Sequence, residues 1–169
     1  MLDFLFRRLT ADPARGAELF AAATRIAREP HWYVEGAVPD TIDGRFAVLA
    51  TVTGLVMVRL EADGEAGIPP SVALTERFVE VMESEHREMG LGDPTLGKTV
   101  RKLVGSLARR TELWRSAVGG QSEWLTATRD SLYKGEVPPE ALDHSASALQ
   151  RLWVCMEEAP LAEIEEGRL

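Results

Sequence analysis

The residues with the most evident chemical potential lie in Gly92-Asp93-Pro94-Thr95-Leu96-Gly97-Lys98-Thr99, two glycines with four residues between them, followed by Lys and Thr. That is the pattern of a phosphate-cradling loop. Its chemistry needs a buried apolar strand feeding the loop, so that backbone amides and a helix N-terminus converge on the phosphates. Here the preceding residues, Glu80 to Met89, are charged and read as helix. No second apolar strand offers a carboxylate for magnesium. The segment therefore reads as a turn between helices, with Asp93 or Thr95 as the cap of the next helix. Nucleotide binding through Gly92–Thr99 stands as the alternative.

Glu83 and His86 have the spacing that puts a carboxylate and an imidazole on one helical face, as in di-iron bundles. Such a site needs two Glu-x-x-His pairs, and no second occurs; His144 has Glu140 four residues earlier rather than three. The pair reads as polar helix surface, and no metal site is expected. Cys155 and His144 fall eleven residues apart on one predicted helix, about 16 Å along its axis, too far for a nucleophile and its base. Cys155, between Trp153 and Met156, reads as a small core residue. With no catalytic constellation, the chain reads as a binding protein rather than an enzyme, with no cofactor and no small-molecule substrate.

One stretch is strongly charged. Between Gly97 and Arg115 stand Lys98, Arg101, Lys102, Arg109, Arg110 and Arg115 against Glu112, a local charge of +5 in a chain whose net charge is -8, so the remainder sums to -13. A basic helix on an acidic protein is a docking face for phosphate-rich RNA, anionic lipid or an acidic protein segment; it is equally a solvated face paired with the protein's own acids. Trp114 is the one aromatic interleaved, so sequence-specific nucleic-acid reading is not expected.

These residues must be positioned by helices. At 169 residues, 45% hydrophobic, the chain has the size and apolar content of one domain with a substantial core. A single cysteine and the absence of a cleavable secretory pattern fit a reducing cytoplasm. The longest apolar run, Phe46 to Val58, is too short to span a bilayer and reads as a buried helix. Capping residues, prolines and glycines divide the chain into segments of helical periodicity. One runs from Asp12-Pro13 to Arg28, and a central one from Asp40 or Thr41 to about Glu61. The next runs from Ser71 to Gly90, a fourth from Leu96 to Ala117, a fifth over Ser122 to Lys134, and a last one follows Pro138-Pro139 and runs to Glu158. No segment alternates as a strand would. The expectation is an all-α, single-domain compact bundle of about six to seven helices over residues 1–169. Residues 1–10 form a short amphipathic segment, and 159–169 an acidic, frayed tail.

Two blocks carry a resemblance. The first is His31-Trp32-Tyr33 with Val38-Pro39-Asp40-Thr41-Ile42-Asp43-Gly44-Arg45-Phe46; the second is Arg87-Glu88-Met89-Gly90-Leu91-Gly92-Asp93, with Lys98 and Lys102 following. In this order, joined by an apolar helix, they resemble the ubiquinol-cytochrome c chaperone family over residues 14–117. The resemblance implies an all-helical assembly factor for the cytochrome bc1 complex that binds newly made, haem-poor cytochrome b. It implies work at the cytoplasmic face of the inner membrane, with the ribosome exit region and the membrane surface as further partners. Candidate contact residues are Lys98, Arg101, Lys102, Arg109 and Arg110 on the basic helix and Asp43, Arg45, Glu88 and Asp93 in the polar blocks. The last four are expected to hold a loop arrangement by mutual charge and capping. A client groove between helices would use flexible apolar side chains such as Met57, Met82 and Met89, although the helical spacing of each favours ordinary core. A non-specific RNA or anionic-membrane binder is a third reading.

Overall fold

The apolar run Phe46–Val58 has no polar face to give to water, so it can be stable only at the centre of the molecule. In the structure, a computed structural model that describes residues 16–88, 90 and 93–169, it forms the middle of helix α2, Ile42–Glu61. Thr41 caps α2, its Oγ1 accepting from the Gly44 amide at 3.1 Å. Val48, Val52, Leu55, Val56 and Leu60 are fully buried. Five helices pack around α2: α1 (Ala17–Ala27), α3 (Ile68–Glu88), α4 (Asp93–Val118), α5 (Trp124–Leu132) and α6 (Pro139–Glu158). A short α7 (Leu161–Glu165) follows, and two single 3-10 turns lie at Pro30–Trp32 and Gly64–Gly67. With seven α-helices and no strand among the described residues, the all-α bundle expected from periodicity is the fold.

α2 and α4 share the most extensive contact, and Gly54 is the reason they approach closely. A Cβ there would sit 3.2 Å from the Thr111 backbone nitrogen. α1 and α3 run side by side in the same direction, Gly16 beside Ala73 and the Phe20 ring edge-on to Phe78 at 6.4 Å.

Three expectations are corrected. α3 begins at Ile68, three residues before Ser71, because Pro69 and Pro70 occupy its first turn, where a missing N–H costs nothing. Cys155 is exposed rather than core, since α6 turns Leu149 and Met156 inward and leaves Val154 and Cys155 outside. Residues 159–169 are not frayed. α7 lies on α1 with Ile164 fully buried, and an Arg25 Nη2 donates to the Gly167 carbonyl at 3.4 Å. The N-terminal amphipathic segment, residues 1–10, lies outside the described residues, as does Met89.

Candidate functional site: an apolar groove at the ends of α1 and α3

The connector after α1 is built to cap that helix. The Trp32 indole donates to the Ile26 carbonyl at 2.8 Å and the Tyr33 hydroxyl to the Ala27 carbonyl at 2.8 Å, closing two of the carbonyls that a helix C-terminus leaves open. Burial, only partly opposed by nearby Arg45, raises the Tyr33 pKa. The connector is pinned to the far side of the bundle by His31 Nδ1, 3.0 Å from His144 Nε2, and by Tyr133, whose hydroxyl donates to the Gly36 carbonyl at 2.6 Å. It then turns into α2 against Gly44. Any Cβ at Gly44 would lie 1.9 Å from the Pro39 carbonyl oxygen, so only glycine fits.

This arrangement leaves a groove of about 920 Å³ between the last turns of α1, the connector, the first turns of α2, the last turns of α3 and Leu103 of α4. Its size matches the usual range for ligand sites. Phe20, Phe46, Leu49, Met82 and Leu103 form an apolar floor. Two further apolar residues at its edge are open to solvent, Val34 at 72% and Ile42 at 70% exposure. These two side chains extend the apolar surface of the cavity into solvent. The two blocks singled out in the sequence, some forty residues apart, meet here: Tyr33, Asp40, Ile42, Asp43, Arg45 and Phe46 come from the first and Glu88 from the second.

Among the described residues, Asp43, Arg45 and Glu88 do not pair with one another. Arg45 donates to Asp40 at 2.6 Å and Asp43 accepts from Lys134 at 2.6 Å. Each hydrogen bond lowers the pKa of the carboxyl group that receives it. Glu88 ends α3 and Asp93 opens α4. Of the methionines considered for a groove, Met82 lines it and Met57 packs beside Thr111 in the α2–α4 seam.

The cations of α4 separate into two groups. Lys98, Arg101 and Lys102 are exposed and make no ion pair among the described residues. Arg109 and Arg110 are committed to structure: Arg109 Nη2 donates to the Asp130 carbonyl at 3.0 Å and Arg110 Nε to the Ser131 carbonyl at 3.0 Å, so both cap the C-terminus of α5. Arg110 is only 6% exposed, also donates to Ser106, and lies over the Phe46 ring. Burial, with Arg109 adjacent, pushes its pKa down to about 10, which leaves it charged at neutral pH. Arg115 is held by Glu61 at 2.7 Å and by Glu112, which together raise its pKa. Arg59, the residue just after the apolar run Phe46–Val58, closes the C-terminus of α6 by donating to the carbonyls of Met156 and Ala159 at 2.6 and 2.8 Å.

The phosphate-loop alternative loses its geometry. Residues 93–99 are already helical, so the backbone amides that would cradle phosphate sit inside α4, and a helix precedes them where a strand is required. His86 Nδ1 is engaged by the Met82 carbonyl at 2.7 Å. Among the described residues no three metal-ligating side chains gather.

The fold is shared with a solved protein. Over 100% of this chain and 95% of the other, at 24% identity and a TM-score of 0.77, it is similar to the crystal structure of the Cbp3 homolog from Brucella abortus. No curated protein matches. The family described as Ubiquinol-cytochrome C chaperone matches residues 35–169, so the match starts later than the expected 14–117 and takes in the last fifty residues as well. On that match, which spans most of the bundle and the groove's α2 and α3 walls, the chain belongs to the ubiquinol-cytochrome c chaperone family.

Proposed function

We propose that this protein is a non-enzymatic assembly chaperone that binds newly made, haem-poor cytochrome b during biogenesis of the ubiquinol-cytochrome c reductase complex, and that the groove at the ends of α1 and α3 is its client face. The observation that carries the reading is the convergence of the two family-like blocks on one apolar groove whose edge leaves Val34 and Ile42 in solvent. A protein that shields apolar helices before the bilayer receives them needs such a surface. Lys98, Arg101 and Lys102 supply a second face, toward the anionic inner-membrane surface or the ribosome exit region on the cytoplasmic side. Among the described residues no helix is long and apolar enough to cross a membrane, so attachment through them would be peripheral.

The test is capture of a tagged full chain from membranes while cytochrome b is being synthesised. Enrichment of cytochrome b with the wild type, and its loss with Val34→Asp/Ile42→Asp at unchanged melting temperature, is the expected result. Undiminished capture by that variant would remove the groove from the client face.

A further inference from the structure

We infer that the groove is selective for one kind of segment: the end of an apolar helix that is flanked by Lys or Arg. The inference rests on the client reading above and names what part of a membrane client the site takes.

The floor and edge require an apolar partner, as described. The electrostatics choose which end of it. Because α1 and α3 are parallel, both finish at the same end of the groove, α1 at Ala27 and α3 at Glu88. A helix C-terminus carries partial negative charge, so two dipoles add there. The Ile26 and Ala27 carbonyls of α1 are met by neutral donors, an indole and a phenol, while Arg25 and the C-cap Arg28 of α1 and Arg87 of α3 offset part of that charge. Glu85 and Glu88, one turn apart on α3, add two exposed carboxylates with no ion pair among the described residues. Of the four carboxylates in the lining, Asp43 is paired with Lys134 and Asp40 with Arg45, which leaves Glu85 and Glu88 against Arg28. Arg45 is occupied by Asp40 through an exposed pair, the kind that exchanges partners at little cost.

An apolar surface ending in negative charge complements a helix that ends in positive charge. Transmembrane helices have that form on one side: their cytoplasmic flanks carry an excess of Lys and Arg. A groove reading this feature would grip a client helix by its cytoplasmic end and leave the far end free to enter the bilayer.

The test uses the full chain and fluorescent helical peptides of about a dozen residues, identical in their apolar face and ending in Lys-Lys or Glu-Glu, with binding read by anisotropy. The Lys-ended peptide should bind about tenfold more tightly, with a preference that shrinks as salt rises. Glu85→Lys/Glu88→Lys should bring the two affinities together, and Ile42→Asp should weaken both. A control peptide with the Lys pair but a polar face should not bind. Equal affinity for the two ends, a preference unaltered by the double reversal, or binding of the polar control would each overturn the inference. If the variants melt early, Glu85→Gln/Glu88→Gln gives the same readout with less perturbation. Should the charge preference fail while the wild type still captures cytochrome b, only this inference falls. Should the preference hold while no cytochrome b is captured, the groove's selectivity stands and the client assignment falls.

Discussion

Along α4, Lys98, Arg101 and Lys102 reach into solvent, whereas Arg109, Arg110 and Arg115, two or more turns further on, are each met by the protein's own oxygens. The residue types are alike and the helix is the same. What differs is the neighbour. The second half of α4 passes the end of α5, whose last carbonyls need donors, and a guanidinium fork satisfies them at a distance an ammonium would reach less well. In the first half, Lys98, Arg101 and Lys102 meet no such carbonyl among the described residues. A basic stretch therefore divides into a structural part and a free part according to where other helices stop.

The comparison breaks if both halves behave alike under substitution. Arg110→Ala removes a buried charge-assisted hydrogen bond and leaves the Ser131 carbonyl without its donor, which should cost about 3 kcal/mol. For a domain of this length that is roughly 8 °C in melting temperature, readable by calorimetry. Lys98→Glu/Arg101→Glu/Lys102→Glu should change stability by no more than about 0.5 kcal/mol. The same triple reversal should weaken binding to anionic vesicles by about a hundredfold, since each cation near such a surface is worth about 1 kcal/mol. A triple variant that melts as early as Arg110→Ala would mean that these three cations are also structural.

Much of this was readable from the amino acids alone. The central helix, its cap at Asp40 or Thr41, the all-α class and the two blocks that meet at the groove followed from periodicity, capping residues and resemblance; the structure gives the cap to Thr41. The remainder depends on which helix ends meet which side chains, and no local pattern carries that. Arg59 directly follows the apolar run Phe46–Val58 and looks like its polar end, yet it closes the end of α6, nearly a hundred residues away. Asp43 and Arg45 are two residues apart in one block and point to different partners, Lys134 and Asp40. The groove itself exists because α1 and α3 are parallel, a relation set by tertiary packing and invisible to a count of charges.

The tail sharpens the contrast between apparent and real solvation. Its acids suggested a frayed end, but α7 turns its aliphatic side chains inward, with Ile164 fully buried and Leu161 packed against the core. Ending the chain after Pro160 should cost about 2 kcal/mol from that burial, roughly 6 °C. A truncated protein that melts with the full chain would show that α7 contributes nothing to the stability of α1.

The smallest effect belongs to the exposed pairs at the groove. Asp43 is held below the usual carboxylate range by its hydrogen bond to Lys134, and Asp40 by its hydrogen bond to Arg45. A carboxyl group with a lowered folded-state pKa lends stability at pH values above the unfolded value, about 3.9, and that contribution is lost as pH falls through the folded value. Asp43→Asn should therefore melt slightly below the wild type at pH 7, with the gap closing below about pH 4 as the wild-type carboxylate is protonated. Melting temperature against pH for the two proteins reads this directly. Because both partners are largely in water, the gap should stay well under that of Arg110→Ala at every pH. A gap that remained constant down to pH 2 would mean that Asp43 acts through something other than its charge.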